Sequence, residues 1–363
     1  MKLVVFGLTI SSSWGNGHAT LWRGMIAALE RRGVRVVFFE RDVPYYAEHR
    51  DLSRLPAGEL VLYPDWVDVS ARARRELADA DVAMITSYCP DAAPAAALLR
   101  TAFRGVTTFY DMDTPVTLAR LASGEPVAYV PPGGLSDFDL VLSYTGGEAL
   151  TELRDRLGAR RTAPLYGHVD PIAYAPAKAD DRFIADLSYI GTYAADRQPA
   201  VDAFFIAPAR ARPERRLVLA GSGYPPDFPW TDNIWFVQHL PPADHPSFYA
   251  GSRLTLNVTR RDMAATGWCP SGRLFEATAC GCPVLSDVWP GLEDFFGPGR
   301  EILTAQTTDD ALAALDLGDT ELRRIAQAGR ARTLAEHTSD RRAAELVSLL
   351  QAAYDRAPVA AEA

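Results

Sequence analysis

The chain has 363 residues, of which 48% are hydrophobic and 23% are charged, and its formal net charge at pH 7 is -9. This length predicts two domains, because a single core rarely grows beyond about 300 residues. The acidic balance argues against a dedicated nucleic-acid binder, which would carry a basic excess. The longest apolar stretches are strand-sized, so neither a transmembrane segment nor a signal peptide is predicted. Four scattered cysteines form no zinc pattern and favour a cytoplasmic protein.

The first half alternates between apolar strands and helices. We predict strands at 2–8, 34–40, 81–87, 105–111 and 139–145, with helices at 18–33, 71–80, 91–103 and 147–158. Strands that are apolar along their whole length, separated by helices, indicate a parallel sheet covered on both faces.

A connector at 163–182 contains several prolines and no clean hydrophobic period, so the domain boundary is predicted there. The alternation then restarts, with strands at 185–191, 215–221, 233–240, 252–259 and 282–287, helices at 196–209 and 271–281, and closing helices. Only the last seven residues, 357–363, have the composition of a disordered tail.

These elements predict an α/β fold with two tandem Rossmann-like, doubly wound parallel-sheet domains that face each other across a cleft. Residues 1–168 form the first domain, to which a C-terminal crossover helix at 339–356 is added, and residues 176–338 form the second. Ligands of such sheets bind beyond the carboxyl ends of the strands. The motifs at those ends are therefore the candidate functional residues.

The stretch CPSGRLFEATACGCPVL, residues 269–285, places a Ser-Gly pair at a predicted helix start. Ser271 and Gly272 would offer free backbone N–H groups and Arg273 a formal charge, which together suit a phosphate. Glu276 lies one turn further in, and its carboxylate suits the paired 2′ and 3′ hydroxyls of a ribose. A helix with one exposed arginine and one exposed glutamate is the alternative.

A second loop of the same kind is YIGTYAADRQ, residues 189–198. It places Gly191 and Thr192 at a strand end and Arg197 just inside the next helix, where a guanidinium can grip a diphosphate bidentately. A polar loop without a ligand is the alternative.

The next two strand ends carry weaker signals. LAGSGYPPD, residues 219–227, supplies Gly221 and Ser222 in a glycine turn, and FVQHLPP, residues 236–242, supplies His239 to face a base. Neither GSG nor FGLTISSSWGNG completes the glycine pattern of a dinucleotide-binding loop, which disfavours an NAD-dependent dehydrogenase.

Together these motifs resemble the donor half of GT-B glycosyltransferases over about residues 185–345. The closest likeness is to the CgeB-like group, whose pattern R-x-F-E-x-x-A-C-G appears here at 273–281. The resemblance implies that Glu276 binds the donor ribose and that Thr192 and Arg197 contact the diphosphate. Many retaining GT-B enzymes carry a second glutamate eight positions earlier. That position is Trp268 here, so the retaining pattern is incomplete, and an aromatic side chain there would pack on the sugar or base instead.

The first half supplies the acceptor side. SSSWGNGHATLWRG, residues 11–24, places Trp14 and Asn16 in a polar lip and His18 at or near a helix start. In inverting GT-B enzymes a histidine in this loop often removes the acceptor proton, a step that needs a pKa near the working pH. A helix cap or a donor to the diphosphate is the alternative for His18.

Two aspartates, Asp111 and Asp113, end a strand in FYDMDTPVTL, residues 109–118. Either would serve as the general base or orient His18, both would hold acceptor hydroxyls, or the pair would chelate a divalent ion. Because the nucleotide signals lie in the second half, no metal is predicted. Glu40 and Arg41, in the aromatic and charged rim at 38–46, and Tyr88 complete the acceptor candidates.

We therefore predict a glycosyltransferase of the hexosyltransferase type. It moves a sugar from a UDP- or TDP-type nucleotide-diphosphate sugar to an acceptor hydroxyl, with inversion, with His18 and Asp113 as catalytic residues, and with neither metal nor other cofactor. The partners are the nucleotide sugar and a glycan, lipid, small-molecule or protein acceptor, and a homo-oligomer stays open. The alternatives are a nucleotide-sugar 2-epimerase of the same fold and a non-catalytic nucleotide-sugar-binding protein.

Overall fold

The computed structural model describes residues 1–55 and 57–355. The chain divides into two compact units, Met1–Tyr166 together with the segment from Ser339, and Gly167–Thr338. The predicted tail at 357–363 and the last residue of the predicted helix at 339–356 lie outside the described residues. Among the described helices, none has the length and apolar character needed to cross a bilayer.

The first unit is built on a parallel sheet of seven strands in the order β3-β2-β1-β4-β5-β6-β7. The strands are β1 Lys2–Gly7, β2 Arg35–Arg41, β3 Glu59–Tyr63, β4 Val82–Thr86, β5 Val106–Asp111, β6 Leu140–Ser143 and β7 Thr162–Pro164. The helices between them are α1 Gly17–Arg31, α2 Pro44–Ala47, α3 Trp66–Leu77, α4 Ala92–Ala102, α5 Thr114–Ala122 and α6 Ala149–Leu157. The strand order reverses between β1 and β4, so the loops after these two strands flank the switch point at which such sheets bind ligands.

The second unit is a parallel sheet of six strands in the order β10-β9-β8-β11-β12-β13. The strands are β8 Leu187–Ile190, β9 Leu217–Gly221, β10 Ile234–Gln238, β11 Thr255–Asn257, β12 Val284–Asp287 and β13 Leu303–Ala305. A π-helical turn, Asp202–Ile206, connects α7 Gln198–Val201 to α8 Ala207–Ala211 in one continuous helix. The other helices are α9 His245–Gly251, α10 Arg261–Thr266, α11 Gly272–Ala279, α12 Leu292–Phe295, α13 Thr308–Leu315 and α14 Asp319–Glu336. Here the order reverses between β8 and β11.

The last helix, α15 at Ser339–Tyr354, packs on α1 of the first unit. Leu346 and Leu350 are buried, and the guanidinium of Arg31 binds both carboxylate oxygens of Asp340, at 3.1 and 3.0 Å. Two parallel, doubly wound sheets confirm the predicted Rossmann-like fold class. Each unit has its own core, since β1 and β9 are buried along their whole length.

Several short elements were not predicted. The edge strands β3, β7 and β13 have between three and five residues. They are too short and too exposed to show a clear hydrophobic period. The predicted strand at 252–259 is reduced to Thr255–Asn257, because Ser252 caps the C-terminus of α9, where its N–H donates to the Tyr249 carbonyl at 3.2 Å. These differences leave the sheet order and the strand ends that carry the candidate residues unchanged.

Candidate functional site

A buried carboxylate shapes the loop after β1. Glu40 of β2 is fully buried, and its Oε1 accepts hydrogen bonds from the hydroxyls of Thr9, at 2.7 Å, and Ser11. Its Oε2 accepts from the backbone N–H groups of Ile10, at 2.8 Å, and Ser11, at 3.0 Å. The predicted acceptor contact does not fit this geometry, because the carboxylate has no exposed surface and four donors already occupy it. Glu40 instead fixes the loop that leads to His18.

Asn16 has a similar structural role. Its side-chain oxygen caps α1 by accepting from the N–H of His18 at 3.1 Å, and its amide donates to the carbonyls of Thr9 and Ser12 at 3.1 and 3.2 Å. Asn16 is buried, so the predicted direct contact with an acceptor does not fit this side chain either. Because Asn16 is the cap, the side chain of His18 in the first turn is left for another role.

His18 and Asp113 form a pair in the first unit. The imidazole Nε2 lies 2.9 Å from Asp113 Oδ2, and the two side chains are only 16% and 19% exposed. A carboxylate accepts, so the neutral imidazole carries its hydrogen on Nε2 and has an open lone pair on Nδ1. That Nδ1 atom is buried and has no hydrogen-bond partner among the described residues. The pair is therefore arranged to accept a proton at Nδ1.

Asp111, the last residue of β5, lies beside this pair and is fully buried. Its Oδ1 accepts from the backbone N–H of Asp113 at 3.0 Å, whereas its Oδ2 has no hydrogen-bond partner among the described residues. Burial raises the pKa of Asp111 to about 7. Within residues 1–55 and 57–355, no group of three or more histidine, cysteine, aspartate or glutamate side chains is placed to hold a metal ion.

Tyr88 covers the His18 pair from the loop after β4. Its backbone has a positive φ of 60°, and its ring centroid lies 4.7 Å from that of Tyr129 and 6.1 Å from that of His18. Burial, followed by the charge of Asp113, raises the pKa of Tyr88 to about 12. The hydroxyl therefore keeps its proton at neutral pH and remains a hydrogen-bond donor. The structure thus brings together the side chains of His18, Asp111, Asp113 and Tyr88.

The remaining candidates of the first unit, Trp14 and Arg41, contact other residues. Trp14 stacks on His49, with ring centroids 4.1 Å apart, at the rim of the loop after β1. Arg41 donates to Asp91 at 3.1 Å, and that buried carboxylate also accepts from the Tyr63 hydroxyl at 2.9 Å. Arg41 therefore stabilises the end of β2 in an ion pair, which is the ordinary structural alternative for such an arginine.

In the second unit, the loops after β8 and β9 approach each other at two glycines. The N–H of Gly191 donates to the carbonyl of Ala220 at 2.9 Å, and the Tyr224 hydroxyl donates to the Gly191 carbonyl at 2.9 Å. A Cβ atom on Gly221 would lie 2.0 Å from the Gly191 oxygen, and the φ of Gly221 is +155°. Only glycine fits position 221. The turn therefore fixes the end of β8, where Gly191 is half-buried and Thr192 is exposed.

Arg197 lies beside this turn, and its positive charge is not paired with a carboxylate among the described residues. One of its NH2 groups donates to the Thr192 carbonyl, whereas its Nε is buried without a hydrogen-bond partner among the described residues. The pKa of Arg197 is lowered by burial first, and the neighbouring charges of Arg273 and Arg260 lower it further. Positive charges that repel each other away from water are stabilised when an anion binds between them, so this arrangement favours anion binding.

Arg273 is held more firmly than Arg197. Its guanidinium donates to the carbonyls of Ile190 and Val258 at 3.0 and 3.1 Å, and its Nε donates to the Ser271 hydroxyl at 3.2 Å. It therefore ties together the ends of β8 and β11, which flank the switch point. These carbonyl and hydroxyl partners are neutral, so they do not compensate the positive charge of Arg273.

The N-terminus of α11 adds backbone donors. Ser271 caps this helix by accepting from the N–H of Arg273 at 3.4 Å, and a Cβ atom on Gly272 would meet no heavy atom within 4 Å. The first turn of α11 therefore opens onto free space. Helix N-termini of this kind bind anions through their N–H groups and their dipole.

The other second-unit candidates take defined places. His239 has a φ of +49°, and its N–H donates to the Gly221 carbonyl at 2.8 Å, so it lies directly beside the glycine turn. The carbonyl of Ser222 accepts from the N–H of Tyr193 at 2.8 Å. Trp268 donates from its indole N–H to Asp294 at 2.7 Å and packs against Gly291. These contacts place Gly221, Ser222 and His239 together and hold Trp268 in its own loop.

Glu276 lies in the middle of α11, and its side chain is 11% exposed. Its Oε2 lies 3.8 Å from Nδ1 of His245 in α9, and Tyr174 packs beside both. Sequence reasoning missed His245 and Tyr174, because each lies at least thirty residues from Glu276 along the chain.

The chain is similar to known proteins both in part of its sequence and in its fold. Residues 197–348, which comprise most of the second unit and the first part of α15, match a family model described as glycosyl transferase-like. The solved structure of sucrose-phosphate synthase from Thermosynechococcus elongatus is similar over 98% of this chain and 100% of its own, with 14% identity and a TM-score of 0.67. Anabaena HepE in complex with UDP and glucose is similar over 97% and 100%, with 14% identity and a TM-score of 0.67. An alpha-glucosyltransferase in complex with UDP-glucose and DNA is similar over 97% and 99%, with 11% identity and a TM-score of 0.70.

A search of curated protein sequences finds no significant match. The fold of the chain is the GT-B fold of glycosyltransferases, since the similarity extends over nearly the whole of both chains. The glycosyl transferase-like segment at 197–348 contains the motif that first suggested this class. The predicted resemblance to GT-B glycosyltransferases is thus confirmed, while the CgeB-like group stays a prediction.

Proposed function

We propose that this protein is a glycosyltransferase of the hexosyltransferase type that uses a UDP- or TDP-type nucleotide-diphosphate sugar. The observation that carries the proposal is the cationic turn of the second unit, where Arg197 and Arg273 lie beside Gly191 and Thr192. The charges, the open start of α11 and the carboxylate of Glu276 match the successive parts of such a donor: diphosphate, then ribose. The complex of HepE with UDP-glucose supports a donor of this class.

The first unit supplies the groups for the acceptor. An acceptor hydroxyl gives its proton to Nδ1 of His18, and Asp113 stabilises the imidazolium that results. Tyr88 offers a hydrogen-bond donor to a neighbouring acceptor oxygen, and Trp14 offers an aromatic rim. The predicted acceptor contact of Asp111 does not fit its geometry, because this carboxyl is fully buried. The acceptor is a glycan, a lipid, a small molecule or a protein.

The reaction is a single displacement at the anomeric carbon. The bond from the acceptor oxygen to that carbon forms while the bond from that carbon to the diphosphate oxygen breaks, so the configuration inverts. The negative charge that develops on the leaving diphosphate is stabilised by Arg197, Arg273 and the N–H groups of α11. Two guanidinium groups and a helix N-terminus supply the positive charge that a metal ion would otherwise provide, so no metal is needed.

The test is a thermal-shift screen with UDP-, TDP- and GDP-sugars, followed by measurement of nucleotide release with an acceptor panel. Acceptor-dependent release of the nucleoside diphosphate, with an inverted anomeric proton coupling in the product, supports the proposal. Isomerised nucleotide sugar without an acceptor would indicate an epimerase instead, and binding without any turnover would indicate a binding protein. Absence of binding to every nucleotide sugar would overturn the proposal.

A further inference from the structure

Two buried tyrosines and a largely buried histidine, from two other segments, lie around Glu276. Tyr174 comes from the connector at the start of the second unit, and His245 and Tyr249 come from α9. Tyr174 and Tyr249 are 5% and 1% exposed. None of these residues belongs to the motif that contains Glu276, yet they form the surroundings of its carboxylate.

His245 and Tyr174 form a connected hydrogen-bonded pair. Nε2 of His245 lies 3.2 Å from the carbonyl oxygen of Leu240, and because a carbonyl only accepts, Nε2 carries a hydrogen. Nδ1 of the same ring lies 3.2 Å from the Tyr174 hydroxyl and 3.8 Å from Oε2 of Glu276. The ring is therefore anchored at one nitrogen and faces both groups with the other.

The Tyr174 hydroxyl keeps its proton throughout the physiological range. Its pKa is raised well above the ordinary value, by burial first and then by the charge of Glu276 and a hydrogen bond to that carboxylate. A hydroxyl that stays protonated has one hydrogen to donate, and it faces two acceptors, Nδ1 of His245 and the Glu276 carboxylate. Tyr249 provides a contrast, because its buried hydroxyl has no hydrogen-bond partner among the described residues.

A glutamate side chain has several rotatable bonds and loses that freedom when it binds a ligand. Contacts that fix the carboxylate beforehand reduce this loss, and the binding oxygens then meet the ligand already aligned. Tyr174 and His245 contact Glu276 from the protein interior, and an ionised carboxylate can accept further hydrogen bonds from a diol.

We propose that Tyr174 and His245 are positioning residues that hold the Glu276 carboxylate for the ribose hydroxyls of the donor nucleotide. The inference rests on the proposed function, since it assumes a nucleotide ligand on α11. Its consequence is specific: these two residues set the preference for a nucleotide that carries ribose hydroxyls over one that lacks them, and they contribute little to binding of the diphosphate.

The experiment measures dissociation constants of the full chain for UDP and for 2′,3′-dideoxy-UDP by calorimetry. The unmodified protein is expected to prefer UDP by about tenfold or more, the usual gain from hydrogen bonds to a charged group. Tyr174→Phe and His245→Ala are expected to lower this ratio at least about threefold while affinity for the dideoxy nucleotide stays within about twofold. His245→Asn, which keeps a polar group near the position of Nδ1, is expected to retain more of the ratio than His245→Ala.

Tyr249→Phe is the matched control, because it removes a buried hydroxyl of the same cluster that has no hydrogen-bond partner among the described residues. An unchanged ratio in Tyr174→Phe, or an equal loss in Tyr249→Phe, overturns the inference. A protein that binds UDP without any preference over the dideoxy nucleotide overturns it too, and binding of neither nucleotide contradicts the proposed function itself.

Discussion

Nε2 of His18 lies 2.9 Å from Oδ2 of Asp113, although 95 residues separate them along the chain. The contact arises because α1 follows β1 after a nine-residue loop, and Asp113 follows β5 at the same edge of the sheet. Glu40 and Asn16 hold the loop that carries His18. The pair is therefore a product of parallel-sheet topology and a rigid loop.

His18→Ala is expected to lower transfer about 10²–10⁴-fold, the usual contribution of a positioned general base. UDP affinity should not change, because the residues that we propose to bind the donor lie in the second unit. Product formation with an identified acceptor and calorimetry with UDP measure the two quantities separately. Full activity in this variant would remove His18 as the base, and a parallel loss of UDP affinity would assign it to the donor instead.

Asp111 makes the stability of the protein pH-dependent in a predictable direction. Burial raises its folded-state pKa to about 7, so between about pH 4 and pH 7 the unfolded chain releases this proton while the folded protein retains it. This group's contribution is therefore fully present below pH 4, falls as the pH rises, and is constant above about pH 7. Asp111→Asn, which cannot ionise, should gain stability over the unmodified protein across this window, by on the order of 4 kcal/mol at most.

Chemical denaturation at pH 4.5, 6 and 7.5 measures this difference, where about 1 kcal/mol is readily resolved. Asp227→Asn is the control, because Asp227 is exposed and its replacement should shift stability by nearly the same amount at each pH. A pH-independent difference for Asp111→Asn would contradict a buried carboxyl with a raised pKa.

Glu40→Gln should destabilise the fold by about 2–4 kcal/mol. An amide has only one oxygen that accepts, so its NH2 group would face hydrogen-bond donors in place of the second carboxylate oxygen. Glu48→Gln is the matched control, since Glu48 is exposed at the end of α2 and its replacement should change stability by less than about 0.5 kcal/mol. Urea denaturation provides both values. Equal stability of the two variants would show that the Glu40 contacts are dispensable.

Local sequence patterns were enough to predict the two sheets, because strands such as β1 and β9 are apolar along their whole length. The α11 motif was also visible, since Ser271, Gly272, Arg273 and Glu276 lie within six residues. The role of Glu40 was not visible, because its four donors come from a loop some thirty residues earlier. Tyr174 was hidden for a related reason: its segment has no hydrophobic period, and only the folded chain brings it to α11.

Replacement of Arg197 should weaken ligand binding much more than it lowers the stability of the fold. Its guanidinium is desolvated beside other cations, and its Nε has no hydrogen-bond partner in the part of the chain that the structure describes, so the ligand-free protein gains little from the charge. Arg197→Gln is therefore expected to weaken UDP binding about tenfold or more, through loss of charge-assisted hydrogen bonds to phosphate, while it lowers the free energy of unfolding by less than about 1 kcal/mol. Arg210→Gln, at an exposed arginine of α8, is the control for general charge effects. Calorimetry with UDP, with and without EDTA, measures the affinity, and EDTA should not change it. Strong dependence on a divalent ion, or an undiminished affinity in Arg197→Gln, would show that the diphosphate is bound by other groups.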